Sequence, residues 1–282
     1  MSARTLFVTA SLLACAAPAG AQTWRTVEAS RQTHDTAAIS ARIEYAAGKL
    51  DLKSATGPAL YHAALRYDAD QTEPVVQFDN ANRALTLGVH LRGAKMMNGE
   101  EEHQSGSMTA ELSGAVPMDL SLELGAVEGD LQLGGLRLTD LSIRSGAADI
   151  TARFDKPNRE QLRTMNLQVG AAQLKMLDLA NAGVSRIVAE VGAGALTLDL
   201  GGTLARDVDI TATLAVGGLT VNVAENTGVF ADERSFVGGF KKDGFSKRAD
   251  GWYSANYDSA TRHVRVHLRA FVGGMTLTRT QN

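Results

Sequence analysis

Two stretches of this 282-residue chain carry residue types that could recognise an anion. His263, Arg265, His267 and Arg269 alternate with Val264, Val266 and Leu268, so a strand here holds a positive row on one face and an apolar row on the other. Two histidines four residues apart on a strand lie roughly 13 Å apart, too far to share a metal ion. Their protonation below about pH 6.5 would make that face more positive. Just upstream, residues 230–257 combine Phe236, Phe240, Phe245, Trp252, Tyr253 and Tyr257 with Lys241, Lys242, Lys247 and Arg248. Aromatic faces suit a sugar ring or an acyl chain, and the cations suit phosphate or carboxylate. The same residues have plainer uses. An aromatic loop folded over the last strand of a stack covers an edge that would otherwise pair with other chains, and a charged strand face can simply be solvated.

Other chemistry is harder to build from this sequence. Glu100, Glu101, Glu102 and His103 stand in a polar loop, but consecutive side chains do not converge on one ion without a tight loop and further ligands, so the segment reads as a solvated hairpin tip. No nucleophile elbow, zinc-protease motif or phosphate-binding loop occurs. Gly192-Ala-Gly194 is a strand corner lacking the helix that a dinucleotide site opens. Asp199, Asp207 and Asp209 come nearest to paired carboxylates, yet they fall at a turn of ordinary hairpin type. The sequence therefore predicts no catalytic residue, no metal and no cofactor.

The elements that position these side chains are strands. Alternation of apolar and polar residues dominates from Ala38 onward, as in Leu196-Thr-Leu-Asp-Leu and Leu219-Thr-Val-Asn-Val. The best helical signal, Asn158 to Arg163 after Pro157, is too short and polar for more than a turn or loop. A phrase recurs: an alternating run, a Gly-Ala or Gly-Gly step, then a second alternating run. Its glycines are Gly125, Gly146, Gly170, Gly192 and Gly217, spaced 21, 24, 22 and 25 residues apart, with Gly273 in a last copy and Gly48 in an early one. Such a period predicts an all-β stack of repeated strands, solenoid-like, with these glycines at structural corners. Thr151, Thr197, Thr220 and Thr276, with Lys175 in the equivalent place, follow the corners and predict a polar ladder across the rungs.

Residues 1–21 hold one basic residue, Arg4, an apolar stretch, and Ala19-Gly20-Ala21 before Gln22. That is the pattern of a secretory signal peptide. Leu12-Leu13-Ala14-Cys15 offers a second outcome, cleavage before Cys15 and its lipidation. Cys15 is the single cysteine, so a mature chain has no disulfide and rests on its core. The formal net charge of −3 does not suggest nucleic acid as a partner. The expected domains are a leader at 1–21, an N-terminal β region at 22–112 and a β-repeat domain at 113–282 carrying a glycine-, aromatic- and base-rich loop at 230–257.

Several phrases carry a resemblance: Leu131-x-Leu-Gly-Gly-Leu, Leu141-x-Ile-x-x-Gly-Ala, Val191-Gly-Ala-Gly-Ala-Leu-Thr-Leu-Asp-Leu-x-Gly and Gly251-Trp-Tyr-x-x-x-Tyr-Asp-x-Ala260. Together they resemble the bacterial toast-rack domain family, which includes adhesin-like proteins and the extracytoplasmic domains of phage-shock and cell-wall-antibiotic response proteins. The segment with Ile43 to Leu52 is similar to the N-terminal domain that often precedes the toast rack. The resemblance implies a non-enzymatic strand stack at the cell envelope, with no catalytic residues to carry over. The expectation is an export across the bacterial inner membrane, to a periplasmic or secreted form or one lipid-anchored at Cys15. There the chain would be an adhesin-like or envelope-stress interaction module whose partner is an envelope protein or a second copy of itself. The alternative is a ligand-binding module for an anionic glycan or lipid headgroup through residues 230–257 and 263–269; a polysaccharide-active enzyme is a minor third.

Overall fold

The computed structural model of the chain describes residues 23–92, 106–239 and 244–280. The leader with Cys15, the Glu100 to His103 loop, and Phe240, Lys241 and Lys242 lie outside the described residues. Alternation becomes strand throughout. The N-terminal part contains β1 (Trp24–Gln32), β2 (Ile39–Ala55), β3 (Ala59–Asp68), β4 (Thr72–Asp79), β5 (Ala84–Leu91) and β6 (Ser107–Ser113). The repeats follow as β7 (Pro117–Gln132), β8 (Arg137–Ser145), β9 (Asp149–Arg153), β10 (Thr164–Leu177), β11 (Arg186–Leu200) and β12 (Val208–Ala224). The chain finishes with β13 (Gly228–Val237), β14 (Phe245–Lys247), β15 (Trp252–Ser254) and β16 (His263–Thr280).

These strands form one sheet whose centre is parallel: β2, β7, β8 with β9, β10, β11, β12 and β16. Each long strand has two arms. Pairing of β10 with β11 runs from Thr164↔Arg186 to Val169↔Val191, passes over Gly170 and Gly192, and resumes at Ala171↔Ala193. Short returns, such as the 3-10 turn Leu179–Ala182, bring the chain back to start the next rung. The turn after Asp199 therefore joins two parallel strands, β11 and β12, and is not the hairpin its composition suggested. Residues 158–163 are loop, and Asn158 bridges rungs there, donating to the carbonyls of Leu138 and Ala182.

One face of every arm points into a shared core. Ile43, Leu122, Ile143, Leu167, Ala189, Ala212 and Leu268 are successive register partners and all are buried. Burying each large aliphatic side chain contributes roughly 1.5–3 kcal/mol. The outward polar ladder is present as well: Thr151, Lys175, Thr197, Thr220 and Thr276 pair in that order.

The seven corner glycines fall into two rows rather than the single row their phrasing implied. Gly125, Gly146, Gly170 and Gly192 occupy the position that the pairing skips, and Ala215 and Phe271 continue it. Close approach explains the glycines here, since a Cβ on Gly125 would lie 2.1 Å from the Ala46 carbonyl oxygen. Gly217 and Gly273 belong two residues further along, paired with Gly194, at φ +138° and +130°. Gly48 is likewise two residues beyond the skipped Ala46, at φ +122°. The 25-residue step to Gly217 thus joins two different corner positions, and the rung itself advances 23 residues, from Gly192 to Ala215.

Across residue 112 the sheet is continuous, because β2 pairs with both β6 and β7. Of residues 230–257, 230–237 lie in β13, and β14 and β15 take two further pieces. Although β13 precedes β16 in sequence, it sits outside it in the stack, followed by β15 and β14.

Candidate interaction surface

The C-terminal end collects most of the residues singled out by type and spacing, and it pairs nearly all of them internally. Arg265 donates to Asp209 at 2.9 Å and Asp207 at 3.2 Å, both on the neighbouring rung's entry. His263 Nδ1 lies 3.6 Å from Asp207, and its Nε2 is 3.0 Å from the Tyr257 carbonyl oxygen. His267 faces Asp232 at 3.9 Å. Arg248 forks onto Asp258 at 2.6 and 3.0 Å and lies over the Tyr253 ring. The Arg248 hydrogen bond holds the Asp258 carboxyl below the usual carboxylate range.

The aromatic residues form a connected cluster rather than an open platform. Phe230, Tyr253, Tyr257 and His263 follow one another at ring-centroid distances of 5.0, 4.8 and 4.7 Å. Phe245 and Trp252 are partly buried against the core, with Lys247 Nζ 6.0 Å from the Trp252 ring. The inward row of the last rung ends in a charge: Arg279 takes the place held by the buried Leu200 and Val223, and donates to the carbonyls of Glu225 and Thr227. Burial lowers the Arg279 pKa.

Arg269 is different. Its register partner on β13 is Arg234, whose nearest carboxylate contact is Asp232 at 3.5 Å, and Arg269 itself takes part in no ion pair among the described residues. Sequence reading missed Arg234 because β13 was not recognised as a strand: Ala231-Asp-Glu-Arg-Ser-Phe has no clean alternation, with Glu233 at an inward position.

A second surface was not legible as a site at all. An open groove of about 1080 Å³ runs along the outside of the stack beside the glycine row. Its wall is the outward row Glu44, Glu123, Arg144, Gln168, Glu190 and Thr213, one residue from each rung. Glu123 bridges rungs by pairing with both Arg42 and Arg144. No group of three or more His, Cys, Asp or Glu side chains able to hold a metal occurs among the described residues, and no helix there is long and apolar enough to cross a membrane.

The class of protein these features define is a parallel strand stack with polar outward rows and an open groove. Residues 20–176 match the N-terminal domain of toast_rack, DUF2154, and the chain belongs to this toast-rack family. No curated protein matches it. Among solved structures it is similar to a putative cell adhesion protein from Clostridium sporogenes ATCC 15579, at 14% identity and a TM-score of 0.47, covering 92% of this chain and 100% of that one. A putative adhesin from Bacteroides fragilis NCTC 9343 aligns at 9% identity and a TM-score of 0.42, over 89% and 97%. A putative lipid binding protein from Parabacteroides distasonis ATCC 8503 aligns at 10% identity and a TM-score of 0.40, over 93% and 98%.

Proposed function

We propose that the chain is an exported, non-enzymatic interaction module of a bacterial envelope, adhesin-like in that it binds a macromolecule along its outer rows. The observation that supports this reading is the groove beside the glycine row, where six rungs present one polar side chain each at the regular strand spacing. Repeats that present a long, regular surface suit an extended partner. An envelope protein or a second copy of the chain fits that description, in a periplasmic, secreted or Cys15-anchored setting, and envelope-stress signalling is one use of such binding. The test is saturable binding of the purified chain to isolated bacterial envelopes, repeated with Gln168→Arg and Glu190→Arg together. A tenfold or greater loss in the variant supports the reading; envelope binding that ignores the substitutions, or a chain recovered from its host with residues 1–21 intact, overturns it.

A second reading, capture of an anionic glycan or lipid headgroup at the C-terminal end, is favoured by the facing Arg234 and Arg269. Arg248, Arg265, His263 and His267 of that end face aspartates, so the reading narrows to this pair and its surroundings.

A further inference from the structure

The outward side of the corner changes character along the stack. Its skipped position is occupied by Ala46, Gly125, Gly146, Gly170, Gly192 and Ala215, and then by Phe271 and Phe236 on the last two rungs. The next position follows the same course: Ala126, Ala171 and Ala193 give way to Val216, Val272 and Val237. Core packing does not call for these large residues. Phe236 is 79% exposed, Phe271 63%, Val237 53% and Val216 50%. The two phenyl rings stack on each other at 5.5 Å with an interplanar angle of 7°. Together the four side chains expose on the order of 400 Å² of apolar surface, in the range where a surface patch is commonly functional.

Two residues before the phenylalanines on their strands, on the same outward face, stand Arg234 and Arg269. Like charges directly opposite each other across strands are destabilising; Asp232, 3.5 Å from Arg234, offsets one of them, which leaves Arg269 without a carboxylate partner among the described residues. A groove of about 500 Å³ joins the cations to the apolar corner, lined by Arg234, Arg269, Thr213, Ala215 and Phe271.

We infer that this corner, Phe236, Phe271, Val216 and Val237 flanked by Arg234 and Arg269, docks the protein onto a bilayer containing anionic phospholipid. The inference rests on the second reading above and names its partner. Exposed phenylalanines on a projecting corner enter the boundary between headgroups and acyl chains, and the paired guanidiniums take the phosphates beside them. A second copy of this chain fits less well. A stable dimer buries about 800 Å² on each partner, roughly twice this patch, and a two-fold contact across it would bring four guanidiniums together.

The test is flotation of the full mature chain with phosphatidylcholine vesicles and with vesicles containing 30–40% phosphatidylglycerol, a composition giving strong anionic character at about 0.1 M salt. The expected result is binding to the anionic vesicles alone. Arg234→Gln with Arg269→Gln weakens it roughly thirtyfold, and Phe236→Ser with Phe271→Ser weakens it at least tenfold. All four positions are on the surface, and an unchanged urea midpoint verifies that each variant folds. Equal binding to neutral vesicles overturns the inference, as does anionic binding that either double variant leaves intact. Concentration-dependent dimerisation abolished by the phenylalanine variant, without vesicle binding, assigns the patch to a second copy instead. Binding of a soluble anionic polysaccharide that needs the arginines but not the phenylalanines, again without vesicle binding, leaves the second reading standing and removes the membrane from it.

Discussion

At the N-terminal end of the stack, β2 hands its first arm to β5 and then β4, and its second arm to β6, β3 and β1. At the C-terminal end, β16 is followed on its first arm by β13, β15 and β14, but on its second arm, beyond Gly273, no strand follows among the described residues. The outer strands differ in chemistry too. β4 carries Glu73, Pro74 and Asp79, and β1 carries Arg25, Glu28 and Arg31. Charges and proline on an edge strand discourage pairing with another chain. The C-terminal corner carries exposed Phe236 and Phe271 instead. One end carries added strands on both arms, with Leu91 its one strongly exposed large apolar side chain among the described residues; the other carries them on one arm and is apolar at its corner. A repeat stack needs both ends protected unless one of them is used, and the difference agrees with the bilayer contact proposed for the C-terminal end, apart from the groove along the rungs.

Core truncation should separate the ends most sharply. Leu65, fully buried in β3 behind the N-terminal end, should cost about 2–5 kcal/mol when replaced by alanine, measured by urea unfolding. Phe236→Ala at the other end should stay within about 0.5 kcal/mol of wild type. Comparable losses at the two positions would erase the contrast. Next in size is Gly273→Val, where a Cβ would sit 1.7 Å from the Gly217 carbonyl oxygen at φ +130°, and a loss of about 3 kcal/mol is expected. A neutral outcome would mean that the last corner is free to rearrange.

Smaller effects concern the charges. Arg265→Gln breaks contacts to Asp207 and Asp209 on a side chain 37% exposed, so its cost should be below about 1 kcal/mol. Toward the N-terminal end, the Arg42 hydrogen bond holds the Glu123 carboxyl below the usual carboxylate range. A depressed carboxyl stabilises the fold above its unfolded value of about 4.3, and that contribution fades as pH falls through the lower folded value. Wild type should therefore exceed Glu123→Gln slightly at pH 7 and converge with it once the pH has fallen below the depressed folded value, when urea midpoints are compared. A difference that persists in acid would assign the effect to packing. Amide exchange gives the smallest and most local measure: Thr276 to Thr280 should exchange faster than Leu50 to Leu52, which have strands on both sides.

Much of this architecture is legible in the sequence. Alternation identified the strands because a half-buried strand must repeat every two residues, and Thr151, Lys175, Thr197, Thr220 and Thr276 revealed the ladder because equal positions in successive rungs meet the same surroundings. The two glycine rows were not separable, since Gly192 and Gly217 look alike in sequence; a neighbouring carbonyl crowds both, and only the positive φ at Gly217 and its register position set it apart. β13 was hidden because a terminal rung has an incomplete core to face, which frees its inward positions to carry Glu233.

The candidate site was less legible still. Arg265 and His267 read as a free cationic face, because nothing in the local sequence says that Asp207, Asp209 and Asp232 will stand opposite them. Sequence alone determined the all-β class, the presence of a repeat and the polar ladder, all of which follow from short-range periodicity and the need to bury one face of each strand. Tertiary structure alone decided which charges are matched, that β13 lies outside β16, and that Phe236 meets Phe271 at the corner. Those outcomes depend on the register between segments 35 and 56 residues apart, which only the closing of the stack fixes.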